Sequence, residues 1–272
     1  MNLCSPAKLT TFLLALILLS ISFAYSSIVF SNKALSAPTN SEQPLRIAVA
    51  ANFTPVLKKL LVEFHQQTKI NTQIISGATG ALFLQIKHGA PFDIFIAADS
   101  IRPAQLEQQN LVLKNSRQTY ALGQLALLSM NSNAKLSDLH NAPQRFAIAN
   151  PNTAPYGKAA KQTLEYLGLW SQYQAKLIQG INVNQTFAQI RSQAVNSGLV
   201  ANSQLVLNNL TGVVIPASYH QPIAQQLVII KSSGNINKAK RLRDYLLSTA
   251  VQQQIISFGY ASFEQDKLEA GK

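Results

Sequence analysis

Three short stretches place small, neutral hydrogen-bond donors where an apolar run gives way to a helical pattern. They are "AANFT" at residues 50–54, "SGATGA" at residues 76–81 and "NPNTAPYG" at residues 150–157. At the start of a helix the first backbone N–H groups lack an intrahelical acceptor, and the aligned peptide dipoles leave partial positive charge there. An anion can dock at such a point without any cationic side chain. Asn52 and Thr79 stand at two of these turns and Tyr156 at the third. Taken singly, Asn or Thr at such a turn is an ordinary N-cap, and Gly77 and Gly80 do no more than satisfy backbone angles. Three turns of one chemical character in one chain point to a shared site, because ligands of open α/β sheets sit where strand C-terminal ends converge.

Catalytic arrangements are missing by comparison. His65, His88, His140 and His220 have no metal-ligand spacing to one another or to an acid cluster. Asp93 and Asp99 bracket "IFIAA" and read as capping or loop-bonding carboxylates. There is no G-x-S-x-G, P-loop or G-x-G-x-x-G, and no base adjoins a nucleophile. The chain is expected not to be an enzyme, to need no cofactor and to bind no bare metal cation.

The elements that must position the three turns alternate. "LRIAVAA" is a doubly buried strand, and Leu57, Leu60, Leu61 and Phe64 follow at the spacing of an amphipathic helix. "NTQIIS", "GALFLQIKHG", "FDIFIAA" and "PAQLEQQNLV" continue the rhythm of strand, helix, strand, helix. "GQLALLS" and "RFAIAN" read as strands, "GKAAKQTLEYLGLW" as a helix, "AKLIQGIN" as a strand and "NQTFAQIRSQAVNSG" as a helix. "LVANSQ" and "QPIAQQLVII" read as strands, and "NKAKRLRDYLLSTAVQQQIISFGY" as one or two terminal helices. This order implies a parallel sheet with right-handed crossovers.

The chain has 272 residues, 47% of them hydrophobic, and a formal charge of +12. That charge would suit nucleic acid only if gathered on one face. Lys58 with Lys59, Lys238 with Lys240 and Arg241 with Arg243 are the only close groupings, each within an amphipathic helical pattern, so no nucleic-acid partner is expected. Near the start, Lys8 precedes an uncharged run of 22 residues from Leu9 to Phe30, followed by "NKALSA" and Pro38. This reads as a secretory signal cleaved near Ser36 or Ala37, with a retained anchor as the alternative. Cys4 is the only cysteine and precedes that run, so the exported chain would carry no disulfide, thiol nucleophile or thiolate ligand.

In order and spacing, "LRIAVAANFTPVLKKLLVEF", "ISGATGALFLQIKHGAPFDIFIAAD", "ANPNTAPYGKAA" with "LGLW", "NVNQTFAQIRSQAVNSGLVA" and "QPIAQQLVII" resemble the periplasmic molybdate-binding proteins of molybdate ABC transporters. The resemblance runs from Leu45 to about Phe263, and the "GAPFDIFIAAD" and "PYGKAA" blocks together make it specific. It implies an α/β, two-lobed periplasmic binding protein of type II with ligand in the cleft between lobes. The expected first lobe is 45–121 with 217–272, the second 122–216, after a signal segment at 1–37 and a linker at 38–44. The chain would cross between lobes near "RQTYALGQ" and "PASYHQPIAQ".

That resemblance also implies molybdate or tungstate as ligand, a membrane permease as partner, a periplasmic location and a monomer. Position by position, Asn52 matches the first ligand position and Ala51 adds a contact beside it. Thr79 matches the second, Tyr156 the third, and Val183 a backbone donor. Many members carry a tyrosine where this chain has Ala201, and Tyr156 would supply that hydroxyl instead. Another tetrahedral oxyanion, such as sulfate or phosphate, is the alternative ligand.

Overall fold

Alternate residues of "LRIAVA" face opposite ways along a strand, and apart from the half-buried Arg46 near its start both sets are apolar, so β1 (Leu45–Ala50) can be stable only if covered on both faces. The structure, a computed structural model, describes residues 43–130 and 134–262. Residues 1–42, which include the expected signal segment, and residues 263–272 lie outside the described residues. Leu45, Ile47 and Val49 pack on one side with Phe53, Leu57, Leu60 and Phe64 of the turn and helix that follow. Ala48 packs on the other side with Leu82, Ile86 and Phe95. Helices α1 (Thr54–Thr68) and α2 (Thr79–Lys87) thus supply the two covering layers.

Between and after these helices come β2 (Thr72–Gly77), β3 (Ile94–Ile96) and α3 (Ile101–Gln108). The chain continues with β4 (Gln118–Gly123), β5 (Leu125–Ser129), β6 (Phe146–Ala149) and α4 (Pro155–Tyr166). Then come α5 (Trp170–Tyr173), β7 (Leu177–Gly180), α6 (Val183–Arg191), β8 (Ser197–Ala201) and α7 (Asn202–Leu207). The last elements described are β9 (Val213–Val214), β10 (Ile223–Ile229), α8 (Ile236–Leu247) and α9 (Thr249–Ser257).

Two five-stranded sheets result, in the orders β2-β1-β3-β10-β4 and β7-β6-β8-β5-β9. Each has one strand antiparallel to its neighbours, β10 in the first and β5 in the second. In each case it is the first strand formed after the chain enters that sheet from the other, so the chain arrives running the opposite way. The two sheets repeat one topology, each a mostly parallel sheet flanked by helices, which is the two-lobed α/β architecture expected.

Three elements differ from the sequence reading, one being "LVANSQ", read as a strand, in which β8 ends at Ala201 and α7 begins at Asn202. The segment "RQTYALGQ", read as a crossing, is mostly β4, which runs in the first sheet to Gly123, beyond the boundary expected between 121 and 122. The strand read in "GQLALLS" is β5 alone, so Gln124 is the single residue between the two sheets. Hydrophobicity runs unbroken from Tyr120 to Leu128 apart from these two residues, so periodicity alone cannot show that the chain changes sheets there. The helix read through Trp170 ends at Tyr166 because Gly168 adopts φ +69°, a left-handed backbone that stops it.

Candidate functional site

The strand-to-helix turns leave their helix starts uncapped by side chains. Phe53, Ala78 and Ala154 occupy the N-cap positions of α1, α2 and α4 without a side-chain cap bond. The N-cap role for Asn52 and Thr79 is thereby overturned, and both side chains are committed elsewhere. Of the four helices that begin at the pocket, α6 alone is capped by a side chain, that of Asn182, which accepts from the N–H groups of Asn184 and Gln185. No acceptor among the described residues meets the backbone N–H of Asn52, Thr79, Tyr156 or Val183.

These four residues and Ala51 line one pocket of about 10 Å3, together with Ala50, Gly77, Ala78, Ala98, Ala154, Pro155 and Asn182. The turns after β1 and β2 contribute from the first sheet, and those before α4 and α6 from the second. No charged side chain lines it among the described residues. Pockets for drug-sized ligands run to about 300–1,000 Å3, so this one suits a much smaller occupant. A larger groove of about 600 Å3 lies alongside, lined by Asp99, Arg102 and Lys158 among others. Its one carboxylate, Asp99, is paired with Arg102.

Asn52 is fully buried and held on several sides. Its Nδ2 donates to Gln225 Oε1 at 2.9 Å and to the Tyr260 hydroxyl at 3.2 Å, while the Tyr260 hydroxyl donates to the Asn52 carbonyl at 3.3 Å. Phe53 wedges between the rings of Tyr120 and Tyr260, with centroids 4.7 and 5.7 Å away, which fixes those phenols behind Asn52. Thr79 Oγ1 accepts from the Ala98 N–H at 3.1 Å, so its own hydrogen is unspent. The Tyr156 hydroxyl accepts from Gln225 Nε2 at 3.1 Å and likewise keeps its hydrogen. Burial raises the pKa of Tyr156 and Tyr120 well above the ordinary tyrosine value, and that of Tyr260 as well, so all three are hydrogen donors at neutral pH. Ala51 is a wall of the pocket, its N–H already given to the Gly77 carbonyl at 2.9 Å. Ala201 is buried and is not among the lining residues.

The two sheets' turns also meet each other directly. Gly80 N–H donates to the Thr153 carbonyl at 2.9 Å, and Arg102 Nη2 to the Asn152 carbonyl at 2.9 Å while its guanidinium pairs with Asp99. A Cβ on Gly80 would lie 3.0 Å from the Thr153 oxygen, so this approach needs a glycine. Asp93 bonds the Arg46 N–H, Ser233 and Asn235, which is the loop-bonding role expected of it. The structure brings the five residues singled out in the sequence to one pocket, whereas Gln225, Tyr260 and Tyr120, which bond with Asn52, Tyr156 or one another, were not singled out.

The model of the bacterial extracellular solute-binding protein family matches residues 45–261. The molybdate-binding protein of Azotobacter vinelandii is 35% identical over 250 residues, 88% of this chain and 98% of that protein. That of Rhodobacter capsulatus is 31% identical over 220 residues, 79% of this chain and 87% of that protein. A solved structure of the Azotobacter vinelandii periplasmic molybdate-binding protein superposes with a TM-score of 0.76 at 33% identity, covering 80% of this chain and 99% of that one. A two-lobed fold and a match across nearly the whole described chain agree: this protein belongs to the bacterial extracellular solute-binding proteins, a family that captures solutes and does not transform them.

Proposed function

We infer that the chain captures molybdate outside the cytoplasm and delivers it to the membrane permease of an ABC transporter, with tungstate accepted in its place. The observation that carries this reading is that the residues lining one small, uncharged pocket hold four unspent backbone N–H groups, at the starts of α2, α4 and α6 and in the turn before α1, and two unspent hydroxyl hydrogens. A dianion leaving water must recover its hydration from several donors at once, since an unsatisfied buried charge costs several kcal/mol. A hydrogen bond to a charged partner contributes roughly 1.5–3 kcal/mol. About half a dozen of them, less the cost of ordering two lobes, reach micromolar to nanomolar affinity.

In this reading Asn52, Thr79, Tyr156 and Val183 bind the oxyanion, through the four N–H groups and the Thr79 and Tyr156 hydroxyls, and Ala51 packs against it. Tyr156 supplies the hydroxyl that Ala201 lacks. The lobes close as rigid bodies about Gln124 and the 215–222 connection, and the permease distinguishes closed from open. The protein works as a monomer in the periplasm, and no cofactor takes part. Donors without acceptors disfavour an oxyanion that still carries a proton, which handicaps phosphate at neutral pH. Sulfate, which is fully ionised, is excluded only by the size of the pocket. The molybdate-binding relatives favour molybdate over sulfate.

Calorimetric titration with molybdate, tungstate, sulfate and phosphate tests the reading. Molybdate is expected to bind at least about a hundredfold more tightly than sulfate, a difference of about 2.7 kcal/mol. Equal or tighter sulfate binding overturns the molybdate assignment.

A further inference from the structure

Gln225 is wholly buried, at 0% exposure, in a strand whose other buried side chains are apolar. Burying a carboxamide is costly unless its polar atoms are satisfied, and here both ends are. Its Oε1 accepts from Asn52 Nδ2 at 2.9 Å and from the Tyr120 hydroxyl at 2.9 Å. Its Nε2 donates to the Tyr156 hydroxyl at 3.1 Å. Gln225 belongs to β10 of the first sheet, whereas Tyr156 opens α4 above the second, so this last bond spans the cleft. Gly123 leaves room for it: a Cβ there would lie 2.4 Å from the Tyr156 hydroxyl and 2.7 Å from Gln225 Nε2.

The direction of that bond matters. A phenol that accepts from Gln225 keeps its hydrogen for whatever enters the pocket. A phenol that donated to its neighbour would present only a lone pair, which repels an anion. Asn52 and Tyr120 both donate to Oε1, which orients the carboxamide so that Nε2 faces Tyr156. We propose that Gln225 is a positioning residue for anion capture: it ties Asn52 and Tyr156 across the closed cleft and turns the Tyr156 hydroxyl hydrogen toward the ligand. The inference rests on the oxyanion reading of the pocket and adds to it a residue that does not line the pocket.

A double-mutant cycle tests it, using the full chain and whichever of molybdate, tungstate, sulfate or phosphate the parent binds most tightly. Gln225→Met keeps the volume but removes both polar ends. It is expected to weaken binding by at least about tenfold, as is Tyr156→Phe, the loss of one charge-directed donor. If Gln225 acts through Tyr156, Gln225→Met costs less than about threefold in the Tyr156→Phe background. A loss of similar size in both backgrounds means that Gln225 acts through packing alone and overturns the proposal. Should Gln225→Met fail to fold, Gln225→Glu takes its place, since it keeps an oxygen for Asn52 and Tyr120 but draws the Tyr156 hydrogen to itself. Any charge repulsion then appears in both backgrounds and cancels, so coupling supports the proposal and additivity overturns it. Failure of the parent to bind any of the four anions overturns the oxyanion reading, and this inference with it.

Discussion

Thr79 shows how a single side chain can serve the fold and the ligand together. Its hydroxyl oxygen accepts from the Ala98 N–H, which joins the turn after β2 to the loop after β3, and its hydrogen is left for the pocket. Thr79→Val keeps shape but removes both interactions. Binding of the preferred oxyanion is expected to weaken by at least about tenfold, the size of one charge-directed donor, while Thr79→Ser stays close to the parent. Calorimetry on the two variants separates hydroxyl from shape, and an unchanged dissociation constant for Thr79→Val would remove this side chain from the site. Asn52 differs in kind: both Nδ2 contacts are internal, so its backbone N–H is the donor it has to offer.

Among the elements, the junction of β6 and α4 is the most tightly specified. Gly157 lies where an added Cβ would come within 2.2 Å of the Ala149 carbonyl oxygen and 2.8 Å of the Asn150 carbonyl carbon, so the helix start is pressed onto the end of its strand. Backbone cannot yield as a flexible side chain can. Gly157→Ala is therefore expected to cost about 1–3 kcal/mol of stability, seen as a lower urea midpoint. It should also weaken oxyanion binding, because Tyr156 is the preceding residue. A variant with the parent's midpoint would show that α4 can shift without penalty. The "PYG" motif is thus as much a packing constraint as a binding one.

For the molecule as a whole, three phenols stand where the lobes meet behind the pocket. Tyr120, Tyr156 and Tyr260 are all buried, and burial raises each pKa. The folded chain therefore holds these protons to higher pH than the unfolded chain, whose tyrosines titrate near about 10. Stability from this source is complete below that value and is lost as pH rises beyond it. Urea midpoints should be level from about pH 8 to 9 and fall above about pH 10. Tyr120→Phe should fall less steeply. An equal decline in that variant would assign the loss to other groups. Closure belongs to this scale too, since the Gly80 to Thr153 and Gln225 to Tyr156 bonds each join the two lobes.

Asn52, Thr79 and Tyr156 were legible because each lies in a local pattern of an apolar strand, a short polar turn and then helical spacing, whereas Ala51 and Val183 were implied only by the resemblance to molybdate-binding proteins. Neighbouring residues decide where a helix begins, and helix starts attract anions whatever the rest of the fold does. The alternation of strands and helices likewise conveyed parallel pairing, and the division into two lobes came from the resemblance. The support behind the pocket was not legible. Asn52 is joined to Gln225 across 173 positions and to Tyr260 across 208, and within "IAQQLVI" Gln225 reads as one more polar residue on a strand. No period or spacing records a contact at that distance. The single-residue crossing at Gln124 stayed hidden for a related reason, because the same apolar run serves both sheets. Local sequence determined which groups could give hydrogen bonds, and only the meeting of two lobes decided which way those hydrogens point.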